Sequence, residues 1–160
     1  MRTLFGTALL VLGALSMPLR AAQPPVHGLL GHWRYDAAKS SFSGAIPYQS
    51  AEISYTRTPL GIHVVQDIVE GTSSKLHFEY VDTRDGRAAR VKGNPFYDSQ
   101  STQWPDARTA VRSEMRAGKI TGTTIMKVAD DGNTYTATSS RTLPNGRTYN
   151  SIIAWYRLPE

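Results

Sequence analysis

The chain has 160 residues, 40% of them hydrophobic, and a formal net charge of +5, which allows one domain with a core of its own. It contains no cysteine, which excludes a disulfide framework and a lipid-modified N-terminal cysteine. Its basic residues are spread along the chain rather than clustered, so the charge gives a nucleic-acid role little support.

Residues 1–22 have the layout of a secretory signal peptide. Arg2 supplies a short positive start, Leu4 to Leu15 is apolar apart from Thr and Gly, and Pro18 with the small pair Ala21-Ala22 marks a cleavage region. The apolar run is too short to span a bilayer, so no integral membrane segment is expected. The mature protein is expected to begin near Ala21 to Gln23 and to be periplasmic or extracellular. Without Arg2 and Arg20, 16 basic residues against 13 acidic ones leave it a formal +3. Residues 23–30, with Pro24-Pro25, read as a tether, and residues 31–160 as one β-barrel domain.

Gly31 to Tyr35 predicts a first strand with Trp33 and Tyr35 on one face. Asp36 to Tyr48 reads as a connection, with Phe42 and Ile46 as anchors into the core. Ser50 to Arg57 predicts a second strand with Ile53 and Tyr55 inward. Thr58-Pro59-Leu60-Gly61 is a turn, its proline preset for the second position. Ile62 to Val69 and Ser73 to Thr83 predict the third and fourth strands. A two-residue loop at Glu70-Gly71 would bury His63 and Asp67 beside Leu76 and Phe78. A three-residue loop over Glu70 to Thr72 instead buries Ile62, Val64 and Ile68 beside Phe78 and Tyr80, with Asp67 opposite Lys75 and His63 opposite Glu79 outside. Opposite charges across a pair stabilise mildly, whereas a buried unpaired carboxylate costs several kcal/mol, so the second register is expected. Ala88 to Lys92 predicts a short fifth strand ended by Gly93-Asn94-Pro95, and Ser99 to Trp104 a sixth.

Arg108 to Arg157 reads as four strands joined at Ala117-Gly118, Asp131-Gly132 and Asn145-Gly146. Two-residue loops at all three turns put Val111, Met115, Ile120, Met126, Val128, Tyr135, Ala137, Ile152, Ala154 and Tyr156 on one buried face. The outer face then takes Arg108, Arg112, Glu114, Thr121, Thr123, Lys127, Thr136, Thr138 and Asn150, with Ile125, Ile153 and Trp155 as its apolar exceptions. About ten strands joined mostly by tight turns must close or leave long edges. The expected fold is all-β, an up-and-down antiparallel barrel of about 8–10 strands. An open two-sheet sandwich is the alternative.

Short motifs add a family likeness. Gly31-His32-Trp33 resembles the Gly-x-Trp signature that opens the first strand of lipocalins and other calycins. In that group a basic residue of the last strand packs across the Trp at the closed end of the barrel, and Arg157 stands where this implies. Three further fragments are Trp33-Arg34-Tyr35-Asp36 with Lys39-Ser40-Ser41-Phe42, Val91-Lys92-Gly93-Asn94-Pro95, and the Asn-Gly turn before a closing Ile-x-Ala-x-Tyr strand. With them, nearly the whole mature domain is similar to bacterial secreted lipocalin-like proteins, a group without an assigned function. The likeness implies the barrel and no particular activity.

The residues suggest little chemistry. There is no Gly-x-Ser-x-Gly, no cysteine and no phosphate-cradling glycine loop. The inward list holds almost no titratable group besides tyrosines, so no catalytic residue is assigned and an enzyme is not the expected reading. His63 and His77, with Asp67 and Glu79 nearby, have zinc-ligating chemistry but fall on the outer face, so neither metal nor cofactor is expected. Phe96, Tyr97 and Trp104 read as core anchors by default, with a ligand portal or a protein-contact patch as the alternatives. Large side chains mixed with small polar ones on the inner face describe either a filled core or a cavity. The candidate ligand-binding residues are Tyr55, Gln66, Phe78, Tyr80, Met115, Gly122, Met126, Tyr135 and Ile152. The expected function is binding of a small, partly apolar molecule inside the barrel. The alternative is an envelope protein–protein interaction module, an inhibitor or assembly factor, using loops or the outer sheet face. Around Ile125, Ile153 and Trp155 that face carries an apolar patch.

Overall fold

The computed structural model describes residues 28–159 other than 73 and 144, so the expected signal peptide and most of the expected tether lie outside the described residues. There are ten strands among them: β1 (Gly31–Ser43), β2 (Tyr48–Thr58), β3 (Gly61–Glu70), β4 (Ser74–Asp82), β5 (Ala89–Arg90), β6 (Ser99–Gln103), β7 (Thr109–Arg116), β8 (Lys119–Val128), β9 (Thr134–Thr142) and β10 (Thr148–Arg157). They form one antiparallel sheet in which every strand follows its sequence neighbour and β1 pairs with β10, Trp33 opposite Arg157. The two remaining edges meet at Glu79 and Lys92, which exchange backbone hydrogen bonds of 3.1 and 2.9 Å and a side-chain ion pair of 2.9 Å. The result is a nearly closed up-and-down barrel, compatible with a lipocalin-like fold. With all ten strands in one sheet, it is not a two-sheet sandwich.

One end is sealed at Trp33, which is fully buried. Its indole N–H donates to Leu29 O at 2.8 Å, and the Arg157 guanidinium lies 4.1 Å from the ring centroid. Arg157 also donates from Nε to Gly132 O and from Nη2 to Gly28 O, both at 2.8 Å, and from Nη1 to Leu30 O. Gly31 has φ +117°, and a Cβ there would stand 2.6 Å from Arg157 Nη1. The small residue two before the tryptophan thus leaves room for the guanidinium at a backbone angle that L side chains avoid. Gly28 to Leu30, read as the end of a tether, instead belong to this seal, with Leu29 2% exposed.

Four expectations of strand extent and register need correction. β1 runs on through Ser43, where a connection was expected. A bulge between Asp36 and Ser41 absorbs the irregularity: Ser40 Oγ donates to Asp36 O at 2.6 Å and accepts from Ala154 N at 2.9 Å, so a side chain replaces ladder partners there. The β3–β4 turn lies one residue further on, so Asp67 faces His77, not Lys75, and His63 faces Val81, not Glu79. That slip is even, so the faces hold: Ile62, Val64, Ile68, Phe78 and Tyr80 are buried. The other two slips are odd. A bulge at Glu114/Met115 pairs Glu114 with Gly122 and Val111 with Ile125, turning Thr109 to Glu114 over while Met115 keeps its expected partner Ile120. The β9–β10 loop is one residue longer than expected, closed by Leu143 N–H to Arg147 O at 2.8 Å, and pairs Ala137 with Ile153 and Tyr135 with Trp155. Ile153 and Trp155 therefore point into the barrel, while Ile152 and Tyr156 point out.

Candidate functional site

The barrel interior has two storeys. Beside the sealed end is an aromatic column. Trp33 meets Tyr135 edge-on at 4.8 Å, Tyr135 stacks on Trp155 at 5.7 Å, and Tyr55 meets Tyr135 at 6.5 Å. Above the column, toward the loops at 44–47, 93–98 and 143–147, is a cavity of about 290 Å³. That is the bulk of about ten waters. Its wall is mainly apolar and aromatic, including Phe42, Tyr48, Ile53, Phe78, Met126 and Ile153. Such walls with a few placed polar groups are characteristic of small-molecule sites.

Two arginines of the wall, Arg112 and Arg141, belong to an ion cluster. On β7 the bulge turns Arg112 and Glu114 inward, and β9 brings Arg141 to them. Glu114, 1% exposed at its side chain, accepts from Arg141 Nε at 2.6 Å and forms an ion pair with Arg112 Nη2 at 3.1 Å. Thr124 Oγ1 lies 3.4 Å from both Glu114 Oε1 and Arg112 Nη2, and 2.8 Å from Ser139 Oγ. Arg141 is enclosed by the rings of Phe96, Tyr97 and Tyr149 at 5.2–5.6 Å and donates to the Tyr149 hydroxyl. Burial opposes ionisation of the Glu114 carboxyl, but Arg112, Arg141 and the hydrogen bonds from Arg141 and Thr124 outweigh it and hold its pKa below the usual range. Burial pushes the Tyr97 phenol up to about 12 and raises those of Tyr55, Tyr80 and Tyr135, so all four are neutral at neutral pH. Glu70, at the cavity mouth, is raised by burial, with Arg141 opposing.

Of the candidate ligand residues, Tyr55, Gln66, Phe78, Met126 and Tyr135 line the cavity. Tyr80 and Gly122 are buried but do not line it. Gly122 faces inward, but its space is taken: a Cβ there would stand 2.7 Å from Glu114 Oε2. Met115 and Ile152 are corrections, because neither lines the cavity: Met115 keeps its expected partner Ile120, which is 68% exposed beyond the bulge, and the odd slip on β10 turns Ile152 outward to 47% exposure. The apolar patch outside moves for the same reason. Ile153 and Trp155 leave it, and Ile125 and Ile152 flank Thr138 in its place. Phe96 and Tyr97 help form the upper wall, whereas Trp104 does not line it.

Sequence reasoning missed Arg112, Glu114 and Arg141. One signal for Arg141 existed: the period-two row that starts with Tyr135 and runs through Ala137 and Ser139 ends on it. Nothing local marks Arg112 and Glu114, whose inward direction depends on the bulge.

His63 and His77 lie outside. His77 Nδ1 is 2.7 Å from Asp67 Oδ1 and His63 Nε2 is 3.6 Å from Glu79 Oε2. No group of three or more potential metal ligands occurs among the described residues.

No protein-family model matches the chain, and no curated protein matches its sequence.

Proposed function

We propose that the protein binds a small, partly apolar molecule inside its barrel and does so after export from the cytoplasm. The observation that carries the binding reading is the cavity of about 290 Å³, open toward the loops and walled by aromatic and aliphatic side chains from both halves of the barrel. The export reading is supported by the charged, apolar and small-residue layout of residues 1–22. Titration with the neutral dye N-phenyl-1-naphthylamine tests binding: saturable fluorescence at one dye per chain is expected. Ala137→Phe, which projects a ring into the cavity, should abolish it while the thermal transition stays cooperative. Absence of saturable binding would overturn the reading. N-terminal sequencing of protein recovered from cell fractions tests export, and an intact Met1 on exported protein would refute the cleavage.

A second reading, a contact surface for another envelope protein, is favoured by Ile125 and Ile152, 49% and 47% exposed on either side of Thr138. Ile125→Lys with Ile152→Lys should leave dye binding intact and would disrupt only such a contact, read as loss of a co-purifying partner.

A further inference from the structure

We propose that the molecule bound in the cavity is an amphipathic monoanion, a carboxylate whose head meets Arg112 while its apolar body lies against the aromatic wall. The proposal rests on the binding reading above and adds the chemistry of the ligand.

Three observations carry it. The first is charge. Two guanidiniums, Arg112 and Arg141, share the single carboxylate of Glu114 in a buried cluster. At the mouth the exposed Arg147 and Glu70, which feels Arg141, add one charge of each sign and leave the sum unchanged. One positive charge is left over inside, and a buried charge without a partner is expensive. The excess matches a monoanion; a phosphate monoester dianion would overcompensate it.

The second is the division of labour between the arginines. Arg141 holds Glu114 at 2.6 Å, donates to Tyr149 and is wrapped by three rings, so it is committed to the fold. Arg112 reaches Glu114 and Thr124 through Nη2 at 3.1 and 3.4 Å and hydrogen-bonds the Tyr80 phenol, while its buried Nε has no acceptor. A guanidinium is a planar fork of donors suited to a carboxylate.

The third is the sign of what is unmatched. Three buried atoms of the cavity wall lack hydrogen-bond partners: Arg112 Nε, Trp155 Nε1 and Asn94 Nδ2. All three are donors, and no equally buried side-chain acceptor of the wall is unmatched among the described residues. A ligand rich in acceptors satisfies such a wall, and one that brings only donors does not.

Calorimetric titration with the matched pair 4-phenylbutyrate and 4-phenylbutan-1-ol at neutral pH and low salt tests this. The carboxylate is expected to bind about tenfold or more tightly than the alcohol. In Arg112→Gln the ratio of the two affinities should collapse toward one. On the unaltered protein, the side-chain Nε–H resonance of Arg112 in nitrogen–proton NMR spectra should shift with the carboxylate and not with the alcohol, a readout that does not depend on the variant folding. Equal or tighter binding of the alcohol overturns the anionic ligand and leaves the binding reading standing. A carboxylate preference that persists in Arg112→Gln, or an unmoved Arg112 resonance, overturns the assignment of the head site. Failure of both compounds and of the neutral dye overturns the binding reading itself.

Discussion

Each end of the barrel holds an arginine against aromatic rings, and the two arrangements differ in their acceptors. At the sealed end Arg157 lies over Trp33 and spends three nitrogens on the backbone carbonyls of Gly28, Leu30 and Gly132. Carbonyls are neutral, but each is fixed in place, so every contact ties two chain segments together. At the open end Arg112 and Arg141 share one carboxylate, and Arg112 retains a buried donor without an acceptor. The same side chain beside similar rings is a staple where its donors are matched, and becomes a recognition element where they are not.

Breaking the open end should have the largest effect. Glu114→Gln removes the only negative charge between two buried guanidiniums and is expected to cost about 3–5 kcal/mol in chemical denaturation. The loss should depend on pH with a definite sign. The folded-state pKa of Glu114 is lowered, so its stabilisation is fully present above the unfolded value of about 4.3 and fades as pH falls through the folded one. The stability gap between wild type and Glu114→Gln should therefore be constant from pH 7 to about 5 and narrow below about 4. A gap that widens on acidification would contradict the ion cluster.

Breaking the sealed end should come next. Arg157→Ala forfeits three charge-assisted hydrogen bonds and the contact with Trp33, at an expected cost of about 2–4 kcal/mol. Because Arg157 does not line the cavity, dye affinity should be unchanged in whatever fraction remains folded. A variant that keeps full stability would show that Arg157 does not staple this end.

Gly122→Ala sharpens the comparison from inside. Its new methyl would push on the Glu114 carboxylate from 2.7 Å, and displacing that group from Arg141 should cost about 1–3 kcal/mol. An unchanged melting temperature would mean the cluster has slack. The smallest effect belongs to the outer surface. Asp67→Asn breaks the pair with His77, but both side chains are more than half exposed, and a change of at most about 0.5 kcal/mol is expected by the same denaturation measurement.

Much of the frame was legible. Ten strands and their order follow from turn signals and β-rich runs, and the seal follows from Gly31, Trp33 and Arg157. The inner faces of β2 and β4 were readable because Ile53, Tyr55 and Phe78 alternate with polar neighbours, and those of β3 and the body of β8 from the period-two rows through Val64 and Met126. The candidate site was legible only in its apolar half. Tyr55, Gln66, Phe78, Met126 and Tyr135 lie on its wall, whereas Ile152 is placed there only by a register that the chain does not adopt, and Met115 keeps its expected partner Ile120 but lies beyond the bulge, off the wall.

The sequence by itself determined an all-β meander, because turn chemistry and alternation are local properties that neighbouring residues carry. Which face of β7 and β10 lies inside was decided only by tertiary structure. On β7, Val111 and Met115 alternate with Arg112 and Glu114, and by hydrophobicity alone the first pair should be buried. One extra residue at a bulge reverses that choice from Thr109 to Glu114, since a strand's side chains alternate with period two and an odd slip moves every residue beyond the bulge across the sheet. Burying Arg112 and Glu114 is tolerable only because Arg141, on another strand, arrives to share the charge. No segment of the sequence contains that meeting, because it exists only once three strands have found their register.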